Sequence, residues 1–320
     1  MSPYSPIIVL DSGLGGLTVV RALRSLLPHD DYLYFGDTAR LPYGSKTPAT
    51  VIRFVRQIIS YLRPFDPKHV VMACNTATAL SLPAIRKEFP ELSISGVIDP
   101  GAKAATVAAG TRQFPVIGVI ATEATVRSKA YSHAIHQRRH HARLVIQATP
   151  LLVPIIEEGR KPDDPLVRLA IEQYLRPMIS RGIEILVLGC THYPILRPVI
   201  LEMFPELTVI DSAERCAQDV ASKLSAAGLT RVNAFPARPV RIAPMKRGLA
   251  DFVVGDPESD AKRRPEYSGT LRCFVTDESP RFAKLATQFL GFEIDPPTWV
   301  SPDELYDFDP TRGIDLASDE

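Results

Sequence analysis

Two short tracts in this 320-residue chain carry residue types suited to moving protons. Cys74-Asn75-Thr76 and Cys190-Thr191-His192 each put a thiol, then small hydrogen-bonding side chains, directly behind an apolar run, 116 positions apart. A thiol between a strand and a helix start sits where backbone N–H groups and the helix dipole favour its thiolate form. Two such thiols facing one ligand from opposite sides suit inversion at a carbon. One removes the α-proton from one face, and the other delivers a proton to the opposite face. A lone cysteine behind a strand is more often a packing residue. It is the second cysteine, with His192 two residues on, that lifts the pair above that reading. No pyridoxal-phosphate lysine signature is evident, so the expected chemistry stabilises the carbanion with preorganised donors and no cofactor.

The elements that must position these tracts follow from the apolar pattern. Short β-branched runs at 7–10, 69–73, 116–120 and 184–188 are each closed by a polar or glycine cluster. Stretches 17–27, 49–62 and 167–181 place apolar residues at helical spacing. Near-continuous apolar strands alternating with amphipathic helices predict an α/β fold with largely parallel sheets covered on both faces. Ligands in such folds bind beyond the carboxyl ends of the strands. That rule points to Asp11-Ser12-Gly13, to 37–44, to Thr122 and to both cysteine tracts.

The chain also repeats itself. Besides the cysteines, Asp99 and Asp211, Pro42 and Pro154, and the strands ending at Leu10 and Ile120 recur 110–112 positions apart in the same order. This predicts two pseudosymmetric α/β domains with the active site in the cleft between them. The first is expected to comprise 1–98 plus 211–300, the second 99–210. After about residue 210 the chain is expected to cross back onto the first domain. Residues 213–227 read as a helix stopped by Gly228, and 271–291 as a last strand and helix. Prolines 236, 239, 244, 257 and 265 mark 231–268 as an insertion, and 301–320 reads as a flexible acidic tail.

Composition narrows the function classes. With 37 basic against 36 acidic residues the net charge is +1, which argues against binding a polyanion over the whole surface. Only 129–143 and 231–247 are locally basic, so nucleic acid is not an expected partner. No apolar run reaches membrane-spanning length and the N-terminus lacks a signal pattern, which predicts a cytoplasmic protein without membrane association. The four cysteines form no CxxC pair, so no metal site is expected. Cys216 and Cys273 read as packing residues, and Asp99 and Asp211 as caps or turn residues. His133, His136, His140 and His141, interleaved with Arg138 and Arg139, read as a solvated basic face. The stretch DSGLGG at 11–16 resembles a dinucleotide-binding turn. It lacks the GxGxxG spacing, however, and would set Asp11 against a pyrophosphate.

Several stretches together resemble the glutamate racemases, the pyridoxal-phosphate-independent bacterial enzymes that supply D-glutamate for peptidoglycan. They are DSGLGGLTV (11–19), YFGDTARLPYG (34–44), ACNTATAL (73–80), GVIDPG (96–101), GVIATEATV (118–126), LLVPIIEEG (151–159) and LGCTHYP (188–194). The resemblance implies that Cys74 serves the D-glutamate face and Cys190 the L-glutamate face. It further implies that Asp11 assists Cys74, that His192 assists Cys190 and that Glu157 supports that side. Substrate contacts would come from Asp11, Ser12, Tyr43, Gly44, Asn75, Thr76, Thr122, Thr191 and His192. The substrate would be glutamate, and a homodimer is left open. Two alternatives accompany this reading: racemisation of another acidic amino acid such as aspartate, and a gyrase-inhibiting role beside the racemase activity.

Overall fold

The computed structural model describes residues 2–231, 268–277, 279 and 282–308. Its strands form two sheets in which every pair runs parallel. Strands β1 (Ile7–Asp11), β2 (Tyr32–Gly36), β3 (His69–Met72) and β4 (Ile94–Gly96) lie in the order β2-β1-β3-β4. Strands β5 (Val116–Ala121), β6 (Arg143–Ala148), β7 (Ile185–Gly189) and β8 (Thr208–Asp211) lie in the order β6-β5-β7-β8. Both sheets therefore set their first four strands side by side in the same order: second, first, third, fourth. This shared winding is the structural form of the repeat in the sequence.

The first sheet continues past β2 with β9 (Leu271–Val275) and β10 (Thr298–Trp299). The chain thus leaves the second sheet at β8 and returns to the first. The central strands β1, β3 and β7 are buried along their whole length, as expected of parallel strands covered on both faces.

Helices start where local chemistry satisfies their free N–H groups. Helix α1 (Leu17–Leu26) follows the glycine turn, and α2 (Pro48–Leu62) has Thr47 as its cap and Pro48 in its first turn. Helix α3 (Asn75–Glu88) begins directly behind β3, and α4 (Ile98–Ala108) leads from the first sheet to the second. Short helices α5 (Glu123–Arg127), α6 (Ala130–His136) and α7 (Leu152–Glu157) precede α8 (Pro165–Ile179), capped by Asp164. After α9 (Arg197–Met203), α10 (Ser212–Ala226) is capped by Asp211, whose Oδ1 accepts from the N–H groups of Ala213 and Glu214. Gly228 follows with φ +66°, the left-handed geometry expected of a helix stop. Asp99 is not the cap or turn residue expected of it. It lies in the first turn of α4, where its carboxylate meets Arg138.

Helices α10 and α11 (Phe282–Leu290) both pack on α1, so α1 is covered by chain arriving from beyond the second sheet. The tail departs from the flexible end expected of it. A last helix, α12 (Pro302–Asp307), docks on α2 with Leu305 fully buried, and the Phe308 ring meets Tyr61 edge-on at 5.3 Å. Apolar side chains inside an acidic stretch supply this anchor. The proline-rich insertion, except Arg231 and Ser268, and the tail beyond Phe308 lie outside the described residues. His133, His136, His140 and His141 are exposed, and His140 and His141 lie ring to ring at 3.7 Å. Among the described residues no cluster has the makings of a metal site. Cys216 and Cys273 are buried in the core.

Candidate active site

A cavity of about 520 Å³ opens where the carboxyl ends of the two sheets face each other. Ser12, Tyr43, Gly44, Cys74, Asn75 and Thr76 line it from the first sheet's loops. Thr122, Glu157, Cys190, Thr191 and His192 line it from the second's. Eleven of the twelve residues singled out in the sequence therefore share one cavity. Asp11 does not line it. It sits 1% exposed beneath the turn, with its Oδ2 accepting from the Gly13 N–H at 3.0 Å. Burial raises its carboxyl above the usual range, opposed chiefly by the charge of His192.

The two thiols occupy equivalent places, Cys74 behind β3 and Cys190 behind β7. Their surroundings differ. Cys74 is the cap of α3: its Sγ accepts from the Ala77 N–H at 3.4 Å and contacts the Ser12 hydroxyl at 3.5 Å. Burial first, and then the Asp11 charge, push its thiol from 9.0 up to about 12, against the hydrogen bonds with Ala77 and Ser12. Cys190 Sγ lies 3.8 Å from His192 Nδ1, and His192 Nε2 lies 3.0 Å from a Glu157 carboxylate oxygen. Burial alone would lower the imidazole below 6.5. Hydrogen bonds to Cys190 and Glu157, with their charges, outweigh burial and raise it to about 10. One side of the cavity thus holds a neutral thiol and the other an imidazolium beside a sulfur.

The glycine turn rejected as a cofactor loop has a different purpose. A Cβ on Gly15 would stand 2.3 Å from Thr191 Oγ1 and 2.5 Å from His192 Nδ1. A Cβ on Gly16 would stand 2.6 Å from the Asp11 Cβ. The glycines let the first sheet's turn touch the second sheet's cysteine tract. Thr18 Oγ1 then bonds the Thr191 carbonyl at 3.0 Å across the same junction. A triangle of hydroxyls, Thr76, Thr122 and Thr125, closes at 2.9–3.2 Å and joins α3 to α5.

Two details change the expected substrate contacts. The Tyr43 hydroxyl is taken by Asp37, which is fully buried and also holds Arg40 and Thr276. Burial and that carboxylate raise the phenol well above its usual range, so Tyr43 presents ring and backbone to the cavity. Asn75 Oδ1 accepts from the Tyr131 hydroxyl at 2.7 Å, which leaves its buried Nδ2 without a hydrogen-bond partner. Among the described residues no Lys or Arg lines the cavity, whereas Glu123, Glu157 and Glu158 do. An anionic ligand here would rely on neutral donors and the α3 N-terminus.

Sequence reasoning missed Thr149, whose Oγ1 is 2.6 Å from the Tyr193 hydroxyl at the cavity wall, and Phe289, whose ring meets His192. Thr149 follows β6 just as Asp37 follows β2, so the strand-end rule extends to it. No local signal marks Phe289.

Two parallel sheets facing each other across a cleft, with a thiol at the same station of each, make this a two-domain α/β protein with a paired-thiol site between its halves. The Asp/Glu/hydantoin racemase model matches residues 17–220, and the chain belongs to that family. Within it, relatives at 42–45% identity are glutamate racemases. That of Koribacter versatilis is 42% identical over 308 residues, spanning 92% of this chain and 97% of its own. That of Neisseria meningitidis is 45% identical over 224 residues, spanning 70% and 82%. Among solved structures, glutamate racemase from Francisella tularensis in complex with D-glutamate superposes with a TM-score of 0.77 at 29% identity. The match covers 93% of this chain and 98% of that one. The Thermus thermophilus enzyme in complex with β-chloro-D-alanine gives 0.75 at 37%, covering 95% and 100%.

Proposed function

We propose that this protein interconverts L- and D-glutamate by a two-base mechanism. Cys74 and Cys190 act on opposite faces of the α-carbon. The observation that carries this reading is the pair of equivalent thiols on one cavity, each behind the third strand of its sheet. Starting from L-glutamate, Cys190 takes the α-proton while the His192 imidazolium, held by Glu157, stands beside the sulfur. The Cys74 thiol, kept protonated by burial, supplies a proton to the opposite face. The reverse reaction exchanges the roles. The free Asn75 Nδ2 and the first turn of α3 are suited to hold a substrate carboxylate as charge develops beside it.

The relatives named above support glutamate rather than another acidic amino acid. The division of the chain into 1–98 with 211–300, and 99–210, is part of the same reading and is supported by the membership of the two sheets. A peptidoglycan role, a cytoplasmic location and a homodimer are further parts of the proposal, the last open to light scattering on the purified chain. No helix among the described residues is long and apolar enough to cross a membrane.

The test is a chiral assay of the purified protein with each glutamate enantiomer in D2O. Wild type is expected to convert both, with deuterium entering the opposite enantiomer during a single passage. Cys74→Ser and Cys190→Ser are each expected to abolish conversion. Failure of wild type to convert glutamate, or a single variant working near the wild-type rate, overturns the proposal.

A further inference from the structure

His192 is held from four directions, and only two of them belong to its own half of the molecule. Cys190 meets Nδ1 at 3.8 Å and Glu157 meets Nε2 at 3.0 Å, both from the second sheet's loops. The remaining two come from the first sheet's side. Gly15 approaches so closely that a Cβ there would lie 2.5 Å from Nδ1 and 2.7 Å from Cε1. Phe289, fully buried on α11, meets the imidazole at 5.3 Å between ring centroids and 87° between planes.

Two hydrogen bonds fix where the ring nitrogens point, yet a ring pinned at Nδ1 and Nε2 can still rock about the line between them. Glu157 is a weak anchor against that motion, because its side chain is 29% exposed. A T-shaped aromatic neighbour at this separation is a favourable and directional contact that resists such rocking. Gly15 and Phe289 are also mechanically linked. Gly15 leads into α1, and α11 packs along α1, so one pair of helices carries both contacts.

We infer that Phe289, delivered by the returning C-terminal part of the chain, is a positioning residue that holds the His192 ring in register with Cys190. The inference rests on the glutamate racemase reading for its kinetic consequence but not for its geometric one. It ties an outlying helix of the first half to a proton-transfer group of the second, and so makes the competence of the Cys190 side depend on α11 being seated.

The test compares Phe289→Leu with Phe282→Leu. Phe282 is a buried phenylalanine on the same helix for which no ring contact to His192 is seen. Both variants lose similar apolar surface, so thermal melts are expected to fall alike. Phe289→Leu is expected to lower kcat/KM about tenfold, and equally in both directions because the enantiomers are equal in free energy. A small misplacement of a reacting group costs this much or more. The alkaline limb of the pH profile is expected to move to lower pH as the bonds that hold the imidazolium loosen. Phe282→Leu is expected to do neither. If Phe289→Leu fails to fold, Phe289→Met replaces it. The ¹⁵N resonances of the His192 ring, assigned through His192→Gln, give a readout without turnover. They are expected to shift in Phe289→Leu and not in Phe282→Leu. Equal kinetics and unchanged resonances in the two variants overturn the inference. A wild-type protein inactive on glutamate overturns the proposed function instead, and the resonances still decide the role of Phe289.

Discussion

Replacing Glu157 by Gln isolates the charge that stands behind His192. The glutamine keeps the shape and an acceptor oxygen 3.0 Å from Nε2, and removes only the negative charge. Burial pulls the imidazole down, yet it stands at about 10 instead of 6.5 because Cys190 and Glu157 hold the cation. At about 1.4 kcal/mol per tenfold change in proton affinity, that rise is a net roughly 5 kcal/mol in favour of the cation once burial has been offset. A charge-assisted hydrogen bond of the kind His192 makes to Glu157 is usually worth about 2 kcal/mol. Glu157→Gln is therefore expected to lower kcat/KM about thirtyfold in both directions. The imidazolium of the variant deprotonates at lower pH, so the alkaline limb moves toward neutrality. Folding stability responds in the same sense. The folded-state value is raised, so the contribution of His192 is complete below pH 6.5 and is lost as pH climbs to about 10. The variant is expected to lose stability over a narrower and lower pH range. The assays are circular dichroism of glutamate racemisation between pH 6 and 10.5 and urea melts over the same span. A variant within twofold of wild type at every pH, with its alkaline limb unmoved, would refute the reasoning.

Three further outcomes follow from the structure. Burial first, then the charge of Lys223, lower His69 from 6.5 to about 4, so below pH 6.5 the unfolded chain takes up a proton that the folded one refuses. Stability is expected to fall between pH 6.5 and 4 by up to about 3 kcal/mol, and His69→Asn is expected to lessen that loss in urea melts. Gly15→Ala is expected to lower kcat at least a hundredfold, since its methyl group must displace Thr191 and His192. A Gly15→Ala protein with wild-type kinetics would show that the turn yields freely. Tyr43→Phe leaves the buried Asp37 one donor short. It is expected to cost about 1–3 kcal/mol in thermal or urea melts and to raise KM more than it lowers kcat.

Much of this arrangement was legible in order of residues alone. Cys74 and Cys190 stand out because a strand end and a helix start are local events, written in a β-branched run followed by small polar residues. Gly228 as a stop, Asp211 as a cap and the amphipathic faces of α1 and α2 are equally local. The repeat became visible because similar halves need similar strand ends at similar intervals. The resemblance to glutamate racemases then supplied Glu157, and it singled out Tyr43-Gly44 within the 37–44 stretch that the strand-end rule marks only as a whole.

Tertiary structure decided which of these groups are free to act. It placed Asp11 under the turn instead of on the cavity, engaged the Tyr43 hydroxyl with Asp37, and left Asn75 Nδ2 open. It also set Phe289 against His192, 97 positions earlier in the chain, and seated α12 in a tail that reads as merely acidic. The physical reason is range. Periodicity, capping and turn chemistry act within a few residues of one another, so the order of residues displays them directly. Which donor meets which acceptor across two sheets depends on how whole buried faces fit together, and no short stretch of chain contains that information.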